Sequence, residues 1–230
     1  MNIQRLALYS GALEARGTTV VIDVFRAFTC EPLLYHYGVA EIILESDIDT
    51  CLAMEGDFIR IGENNEFPIE DFDLTNSPWL IMQKGRDFFS GKRIIHRTTS
   101  GVSGALSALG CSDEVLLASF VNARATAEYI RRRDSALVSI VAMGIRSKEQ
   151  AVEDDLCGDY IESILTGGSF DFYEAAYTIL ANETARKFLR GDKPYLPKED
   201  PALCLQRDIF DCALLAKKKG DLIFSVRAGG

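Results

Sequence analysis

A carboxylate and a guanidinium follow directly after an apolar run near the start of the chain. Residues 19–22 are apolar or β-branched, and Asp23 and Arg26 come next. Such a run is typical of a buried parallel strand, which carries a charged side chain only where its carboxyl end faces a crevice. A buried carboxylate also requires a partner. We therefore predict that Asp23 and Arg26 belong to a functional site rather than to a structural salt bridge.

Polar side chains also follow the other predicted strands, and two more lie in a polar loop at 66–92. They are Glu63 and Asn64, Asn76 and Ser77 of the loop, the segment Arg97, Thr98, Thr99, Ser100 and Gly101, then Asn122, and finally Glu153 and Asp154. Because ligands of open α/β sheets bind beyond the carboxyl ends of the strands, we expect these residues to converge on one edge.

Each of these groups also has a structural interpretation. The acids at 153–155 open a predicted helix, where the dipole favours negative charge. Asn122 and the hydroxyls before Gly101 could be helix N-caps. Gly101 after three hydroxyl residues also suits a nest of backbone amides that binds a phosphate or carboxylate.

The carboxylates suggest a site for a hard cation. Asp23 with Glu153 or Asp154 would supply oxygen ligands to Mg²⁺, which keeps its other positions for water and substrate oxygens. The planar fork of Arg26 could hold a phosphoryl group. The amides and hydroxyls of residues 97–101 could donate to its other oxygens. The predicted partner is therefore a small anionic substrate.

The elements that must position these residues alternate between strand and helix. Strands are predicted at 18–23, 41–44, 58–61, 93–99, 114–120, 136–142 and 222–226, and helices at 30–37, 48–54, 102–109, 123–133, 154–165, 173–189 and 202–216. This order predicts a three-layer α/β/α fold with a mostly parallel or mixed sheet, built from two βαβαβ halves and a helical C-terminal third. We expect a single unit over residues 1–230, with possible sub-halves 1–90 and 91–230.

Composition excludes several classes of partner. The net charge of −9 argues against a nucleic-acid or anionic-membrane surface. The basic runs 131–133 and 217–219 follow predicted helices, where cations complement the dipole. No apolar run reaches the length of about 20 residues that spans a bilayer, and the N-terminus lacks the order of a secretory signal. These two absences predict a cytoplasmic location. The six scattered cysteines without a CxxC pair predict reduced thiols. The oligomeric state is left open, with a homo-oligomer as one option.

Absent motifs narrow the chemistry. No GxGxxG follows a strand and no GxxxxGK[ST] occurs, which disfavours dinucleotide-binding and P-loop proteins. No cysteine has an arginine six positions later, so a cysteine-phosphatase loop is missing. Phe25 stands where an aspartyl phosphatase of the haloacid-dehalogenase kind carries its second acid.

Five segments in order resemble the 2-phosphosulfolactate phosphatase family, the ComB-like proteins. They are VVIDVFRAFT, GENN with the later FDLTNSP, RTTSG, ASFVNARATA and EDDLCGDYI. The resemblance implies an α/β enzyme that needs Mg²⁺ and hydrolyses a phosphate monoester of a small acid.

On this basis we expect three groups of site residues. The expected catalytic residues are Asp23, Arg26 and Glu63. The expected metal ligands are Asp23, Glu153 and Asp154. The expected substrate-binding residues are Asn64, Asn76, Ser77, Arg97, Thr98, Thr99, Ser100, Gly101 and Asn122.

Two departures from the family bear on the substrate. Family members often carry an arginine at the position of Asn64 and a threonine at that of Val102, so two oxyanion donors are missing here. Arg97 or Arg146 could compensate for them. The alternative is a binding protein that keeps the scaffold without catalysis; a purely structural module would leave the polar residues without a purpose. Asp23 is either a metal ligand or the covalent nucleophile.

Overall fold

The computed structural model describes residues 1–229, and its strands form one nine-stranded sheet. The strands are β1 (Asn2–Ala7), β2 (Thr18–Ile22), β3 (Glu41–Leu44), β4 (Phe58–Gly62), β5 (Arg93–Arg97), β6 (Glu114–Ala118), β7 (Leu137–Ala142), β8 (Leu214–Lys219) and β9 (Leu222–Arg227). The helices are α1 (Leu8–Glu14), α2 (Ala27–His36), α3 (Ile48–Ala53), α4 (Pro78–Phe89), α5 (Gly101–Ala108), α6 (Ala123–Arg133), α7 (Val152–Thr166), α8 (Phe172–Ala181), α9 (Glu183–Leu189) and α10 (Asp200–Cys204).

Two groups of parallel strands are joined by an antiparallel hairpin. The strand order is β1-β7-β2-β6-β8-β9-β3-β5-β4. Strands β1, β7, β2 and β6 are mutually parallel, as are β3, β5 and β4, while β8 and β9 pair antiparallel with each other and with their outer neighbours. Both parallel groups contain strands from before and after residue 90, so the two expected sub-halves are interleaved.

Sheet twist explains how the carboxyl ends of the two groups meet. Three antiparallel pairings, β6 with β8, β8 with β9 and β9 with β3, lie between the two parallel groups. In a flat sheet, the strands of the second group would therefore point in the opposite direction to those of the first. Five strand-to-strand steps separate β2 from β5, and at about 20–25° each they rotate the strand direction by roughly 100–125°. The backbone N–H of Gly101, after β5, accordingly reaches the side chain of Asp23, after β2.

Helices cover both faces of the sheet, which confirms the predicted three-layer α/β/α fold. Val21 of β2 packs in one core cluster with residues of α1, α2 and α5. Val20 and Ile22, which point to the other face, pack with residues of α6 and α7. Because successive side chains of a strand alternate between faces, a strand whose five residues are all buried needs a layer on each side.

The predicted helix at 202–216 is wrong. Helix α10 ends at Cys204, and the later part of this segment is strand β8. Leu214, Leu215 and Ala216 pair antiparallel with β6, and a short apolar run of this kind fits a buried strand as well as a helix. The basic run 217–219 therefore lies in the β8–β9 hairpin and does not follow a helix.

Four further features differ from the prediction. Strand β1 and helix α1 precede the first predicted strand, and helix α4 lies within the predicted loop at 66–92. The predicted helix at 173–189 is two helices, because Asn182 has an extended backbone and its side chain accepts a hydrogen bond from the N–H of Thr184 at the start of α9.

No helix within residues 1–229 is long and apolar enough to cross a membrane. The six cysteines are all free thiols.

Candidate active site

A cleft of about 540 Å³, partly open to solvent, lies at the carboxyl ends of β2, β4, β5 and β7. Its acidic lining residues are Asp23, Glu63, Glu66, Glu153 and Asp154. Its other lining residues are Phe25, Arg26, Asn76, Thr99, Ser100, Gly144, Ile145, Arg146, Lys187, Phe188 and Leu196.

Asp23 is held in place by two backbone amides. Its Oδ1 accepts a hydrogen bond from the N–H of Ala27 at 3.1 Å, and its Oδ2 accepts one from the N–H of Gly101 at 2.9 Å. Burial and the negative charge of Glu63 together raise the pKa of Asp23 to about 6, against the opposing effect of the two amide hydrogen bonds. The fold thus holds in the cleft a carboxylate that is fixed in position and has a raised pKa.

Gly101 is required by this contact. A Cβ at this position would lie 2.7 Å from Oδ2 of Asp23 and 2.8 Å from the Cβ of Ala27. The absence of a side chain lets α5 start close enough to donate its N–H to Asp23.

Glu153 and Asp154 are adjacent in sequence, but their environments differ. Asp154 accepts hydrogen bonds from the N–H groups of Val24 and Gly144, each at 2.8 Å, and so ties the end of β2 to the end of β7. Glu153 has a buried Oε2 with no hydrogen-bond partner within residues 1–229. Burial raises the pKa of Glu153 to about 6, and it raises that of Asp154 well above its usual range, with a contribution from the charge of Asp23.

Arg26 is buried and ion-paired. Its Nη1 donates to Oδ2 of Asp200 at 2.7 Å and to the carbonyl of Tyr195 at 3.0 Å. The guanidinium carbon lies 5.3 Å from the centre of the Phe188 ring. The geometry fixes the guanidinium at the wall of the cleft and leaves its Nη2 and Nε without a hydrogen-bond acceptor in the described part of the chain.

Asp200 was missed by the sequence analysis. Besides Arg26, it accepts hydrogen bonds from the hydroxyl of Ser77 at 2.8 Å and from the N–H of Trp79 at 2.9 Å. Burial raises its pKa, although the charge of Arg26 opposes the shift. A single acid within a proline-containing segment has no spacing that predicts such a role. Ser77 caps α4 and contacts Asp200 instead of lining the cleft.

Glu63 joins the loops after β4 and β5. Its Oε1 accepts from the N–H of Thr99 at 2.5 Å, and its Oε2 accepts from the Thr99 hydroxyl at 3.1 Å and from the N–H of Glu66 at 2.6 Å. Arg97 supports the same junction, since its Nη1 donates to the carbonyl of Glu63 and to the Thr99 hydroxyl. Glu63 and Thr99 line the cleft, whereas Arg97 lies behind them.

Two hydroxyls of the loop before α5 have separate contacts. The Thr98 hydroxyl accepts a hydrogen bond from the N–H of Val102 at 2.9 Å, in the manner of a helix cap. The Ser100 hydroxyl lines the cleft and accepts from the N–H of Ser147 at 3.0 Å. The proton of the Ser100 hydroxyl therefore remains available to a ligand.

A buried chain of three side chains reaches the cleft through Asn76. Its Oδ1 lies 2.9 Å from Nε2 of His96, and Nδ1 of His96 lies 2.9 Å from Oε1 of Glu31. With its oxygen directed at the imidazole, Asn76 presents its amide NH₂ as a donor on the cleft side.

Six of the nine predicted substrate-binding residues do not line the cleft, namely Asn64, Ser77, Arg97, Thr98, Gly101 and Asn122. Asn64 is exposed and contacts Asn65. Asn122 is buried; its side chain accepts from the N–H of Ser119 and donates to the carbonyl of Leu117. Asn122 precedes α6, but its side chain makes no capping hydrogen bond to that helix, so its contacts differ from the N-cap considered from the sequence.

The cleft contains a cluster of three charges that the predicted site did not include. Glu66 contacts both Lys187 of α9 and Arg146 of the loop after β7. These residues come from three distant segments, and nothing in their local sequence predicts that they meet.

A divalent cation fits the acidic side of this cleft. No group of three or more His, Cys, Asp or Glu side chains in residues 1–229 forms a ready cage for a metal ion. Mg²⁺ does not require one, because it commonly binds one or two carboxylates and keeps several waters. Oε2 of Glu153 makes no well-formed hydrogen bond within residues 1–229, and the nearby Thr184 hydroxyl and Lys187 offset its burial only in part. The pKa values of Asp23 and Glu153 stay raised to about 6, so a cation at this side of the cleft would stabilise both carboxylates.

The chain is similar over nearly its whole length to a single family. The profile of the 2-phosphosulpholactate phosphatase family matches residues 7–219. A probable 2-phosphosulfolactate phosphatase of Bacillus subtilis is 29% identical over 94% of this chain and 96% of its own length. Proteins of the same description are 29% identical in Caldicellulosiruptor saccharolyticus, over 84% of this chain and 86% of that protein, and 31% identical in Deinococcus radiodurans, over 68% and 65%. The chain therefore belongs to the 2-phosphosulpholactate phosphatase family.

Proposed function

We propose that this protein is a Mg²⁺-dependent phosphatase that hydrolyses the phosphate monoester of a small acidic metabolite, of the kind that the names of its relatives describe. The observation that carries the proposal is the placement of Asp23, fixed by two backbone amides, in one cleft with the guanidinium of Arg26. Phosphoryl transfer depends mainly on positioning and on stabilisation of charge, and the cleft supplies groups for both.

The cleft offers several donors to a phosphoryl group. Arg26 has two nitrogens, Nη2 and Nε, whose N–H groups can form a planar fork with two phosphoryl oxygens. The hydroxyl of Ser100 and the amide of Asn76 add two uncharged donors. Because Arg26 is held by Asp200, its donors are ordered before the substrate binds, which lowers the entropy cost of binding.

Asp23 and Glu153 would hold the Mg²⁺: Oε2 of Glu153 lacks a well-formed hydrogen bond, and each oxygen of Asp23 accepts one amide hydrogen bond and keeps a lone pair for the ion. Asp154 keeps the same lone pairs, but its two amide partners lie at the ends of β2 and β7. When bound, the ion would neutralise phosphoryl charge and lower the pKa of water. Asp154 acts here as a positioning residue, because it fixes the backbone that follows β2.

Asp23 has a second possible role, as the covalent nucleophile. In that case its carboxylate attacks phosphorus, the ester oxygen leaves with the alcohol, and water hydrolyses the aspartyl phosphate. Hydroxylamine trapping after a single turnover separates the two roles, because only the nucleophile leaves an acyl hydroxamate at Asp23.

The activity is tested by phosphate release from phosphorylated hydroxy-acids and sulfo-acids with and without Mg²⁺. We expect release that requires Mg²⁺ and that is lost in Asp23→Asn. Mg²⁺ at 100 times its dissociation constant should add about 2.7 kcal/mol to stability, and Glu153→Gln should reduce this gain. A folded protein that releases no phosphate from any of these esters would refute the proposal.

Two further properties are part of the proposal. We infer that residues 1–230 act as a single unit, since both parallel groups of strands draw on both sub-halves. The free cysteines and the acidic charge support a cytoplasmic location without a nucleic-acid partner.

A further inference from the structure

Glu66 places a carboxylate between two cations inside the cleft. Its Oε2 lies 2.9 Å from Nη2 of Arg146, and its Oε1 contacts Nζ of Lys187. Burial alone would raise the pKa of Glu66, but its contacts with Lys187 and Arg146 outweigh burial and lower it. The carboxylate is therefore ionised and pairs with both cations of the cleft other than Arg26. Lys187 also acts on Glu153, whose pKa its charge lowers.

The backbone at Glu66 is in a conformation that favours glycine. Asn64 and Phe67 exchange backbone hydrogen bonds at 2.8 and 3.0 Å, so Asn65 and Glu66 form a two-residue turn. Both turn residues have positive φ, 51° and 73°. Turns of this kind strongly favour asparagine followed by glycine. A glutamate here is stabilised by its side-chain contacts rather than by local propensity, and outliers of this kind cluster at ligand sites and switches.

The balance of charge in the cleft shows what Glu66 does to ligand binding. Five carboxylates and three cations line it, and one of the cations, Arg26, is already paired with Asp200. A substrate with a phosphate and a second acidic group needs a cation for each end. Lys187 and Arg146 are the cations left for the second end among the described lining residues, and both are occupied by Glu66.

We propose that Lys187 and Arg146 form a second anion site, which binds the carboxylate or sulfonate of the substrate, and that the Glu66 carboxylate occupies this site until the substrate displaces it. The inference rests on the proposed phosphatase function, and it names the residues that would make the enzyme prefer phosphate esters with a second acidic group. When the substrate displaces Glu66, Lys187 and Arg146 lose their ion pairs with Glu66 and form ion pairs with the acidic group of the substrate. The side chain of Glu66 is already about a quarter exposed, and its turn borders solvent, so it can leave without opening the core.

The test uses two phosphonates that cannot be hydrolysed and that differ by a single carboxylate, 3-phosphonopropionate and propylphosphonate. Calorimetry gives the dissociation constant of each, and their ratio measures the preference for the second acid. We expect Glu66→Gln to increase this preference by about threefold to tenfold, because it removes a competing charge from half-buried ion pairs. Lys187→Met and Arg146→Gln should each reduce it by a similar factor.

Glu183→Gln is the matched control. It removes one carboxylate from an exposed ion pair with Arg190 at the same helix α9, outside the cleft, and should leave the preference unchanged. Glu66→Ala should act in the same direction as Glu66→Gln, and thermal unfolding verifies that each variant is folded.

Three results would overturn the inference: a preference that falls or stays constant in Glu66→Gln, a preference that survives loss of both cations, or the absence of any preference in the wild-type protein. The assay is independent of turnover. Phosphate release without these shifts refutes the anion site alone, whereas the expected shifts without phosphate release refute the phosphatase alone.

Discussion

The ion pair of Arg26 and Asp200 is the most sensitive contact of the cleft. Both side chains are buried, at 4% and 0% exposure, and 2.7 Å separates Nη1 from Oδ2. We predict that Asp200→Asn destabilises the protein and weakens substrate binding. Asparagine keeps the volume and one acceptor oxygen, so the contacts with Ser77 and Trp79 can persist while the charge is lost.

The expected magnitude follows from the charge that remains. Removal of one partner of a buried ion pair leaves the other charge uncompensated, at a cost of about 3–5 kcal/mol. Because the carbonyl of Tyr195 still accepts a hydrogen bond from Nη1 of Arg26, we expect the lower end, about 3 kcal/mol. At roughly 2–4 °C for each kcal/mol in a chain of this size, the midpoint of thermal unfolding should fall by about 6–12 °C.

Urea unfolding of four proteins measures this effect: the wild type, Asp200→Asn, Arg26→Met and the double variant. The double variant should be less destabilised than the sum of the two single variants, since neither charge is then left alone. Asp57→Asn is the control, because Asp57 pairs with Lys92 at the surface and should not measurably change stability.

Phosphate release provides the second measurement. Without the Asp200 carboxylate, the Arg26 guanidinium is no longer fixed at the wall of the cleft. KM should therefore rise in Asp200→Asn, measured at a temperature where the variant is still folded. An Asp200→Asn protein as stable as the wild type, or strict additivity in the cycle, would refute the electrostatic reasoning.

Three further predictions concern other parts of the protein. Gly101→Ala should displace Asp23, because the added Cβ would lie 2.7 Å from its Oδ2; activity should fall at least tenfold, with a loss of about 1–3 kcal/mol in urea unfolding as for an overpacked core. The pKa of Glu66 is lowered by its two cations against the effect of burial, so its stabilisation is present above the unfolded-state pKa and is lost as pH falls. The stability difference between wild type and Glu66→Gln should therefore shrink between about pH 5 and pH 3, and a constant difference would contradict the ion pairing. In the native protein, a thiol reagent at pH 8 should modify the two half-buried cysteines, Cys111 and Cys212, before the others. The other four are fully buried, which hides the thiol from the reagent and raises its pKa, namely Cys30, Cys51, Cys157 and Cys204. Burial raises the pKa of Cys212 as well, but its side chain stays partly accessible; equal rates for all six would contradict this.

Local patterns in the sequence were sufficient to predict most of the sheet. The apolar run that ends at Asp23 is β2, and the alternation of strands and helices predicted the three layers. The same patterns failed for β8, because Leu214–Lys219 begins with three apolar residues that are compatible with either period. The antiparallel pairing with β6, almost 100 residues earlier, decides its conformation.

Long-range partners in the cleft could not be predicted from spacing. Asp200 follows its partner Arg26 by 174 residues, and Lys187 follows Glu66 by 121. A local pattern reports the period of one helix or strand, whereas these pairs depend on how the twisted sheet brings separate elements together. Arg146 was considered as a compensating cation, but its pairing with Glu66 depends on the fold.

Glu153 and Asp154 show most clearly what each level of structure determines. The sequence alone determined that acids stand at the start of a helix that follows a strand, a position where helix dipoles and ligands both favour negative charge. The tertiary structure decided their different roles. It gives each oxygen of Asp154 one hydrogen bond from a backbone amide, that of Val24 or that of Gly144, and it leaves one oxygen of Glu153 buried without a well-formed hydrogen bond. The availability of an oxygen to a ligand depends on which backbone amides the fold brings within hydrogen-bonding distance, and no local pattern of residue types encodes that distance.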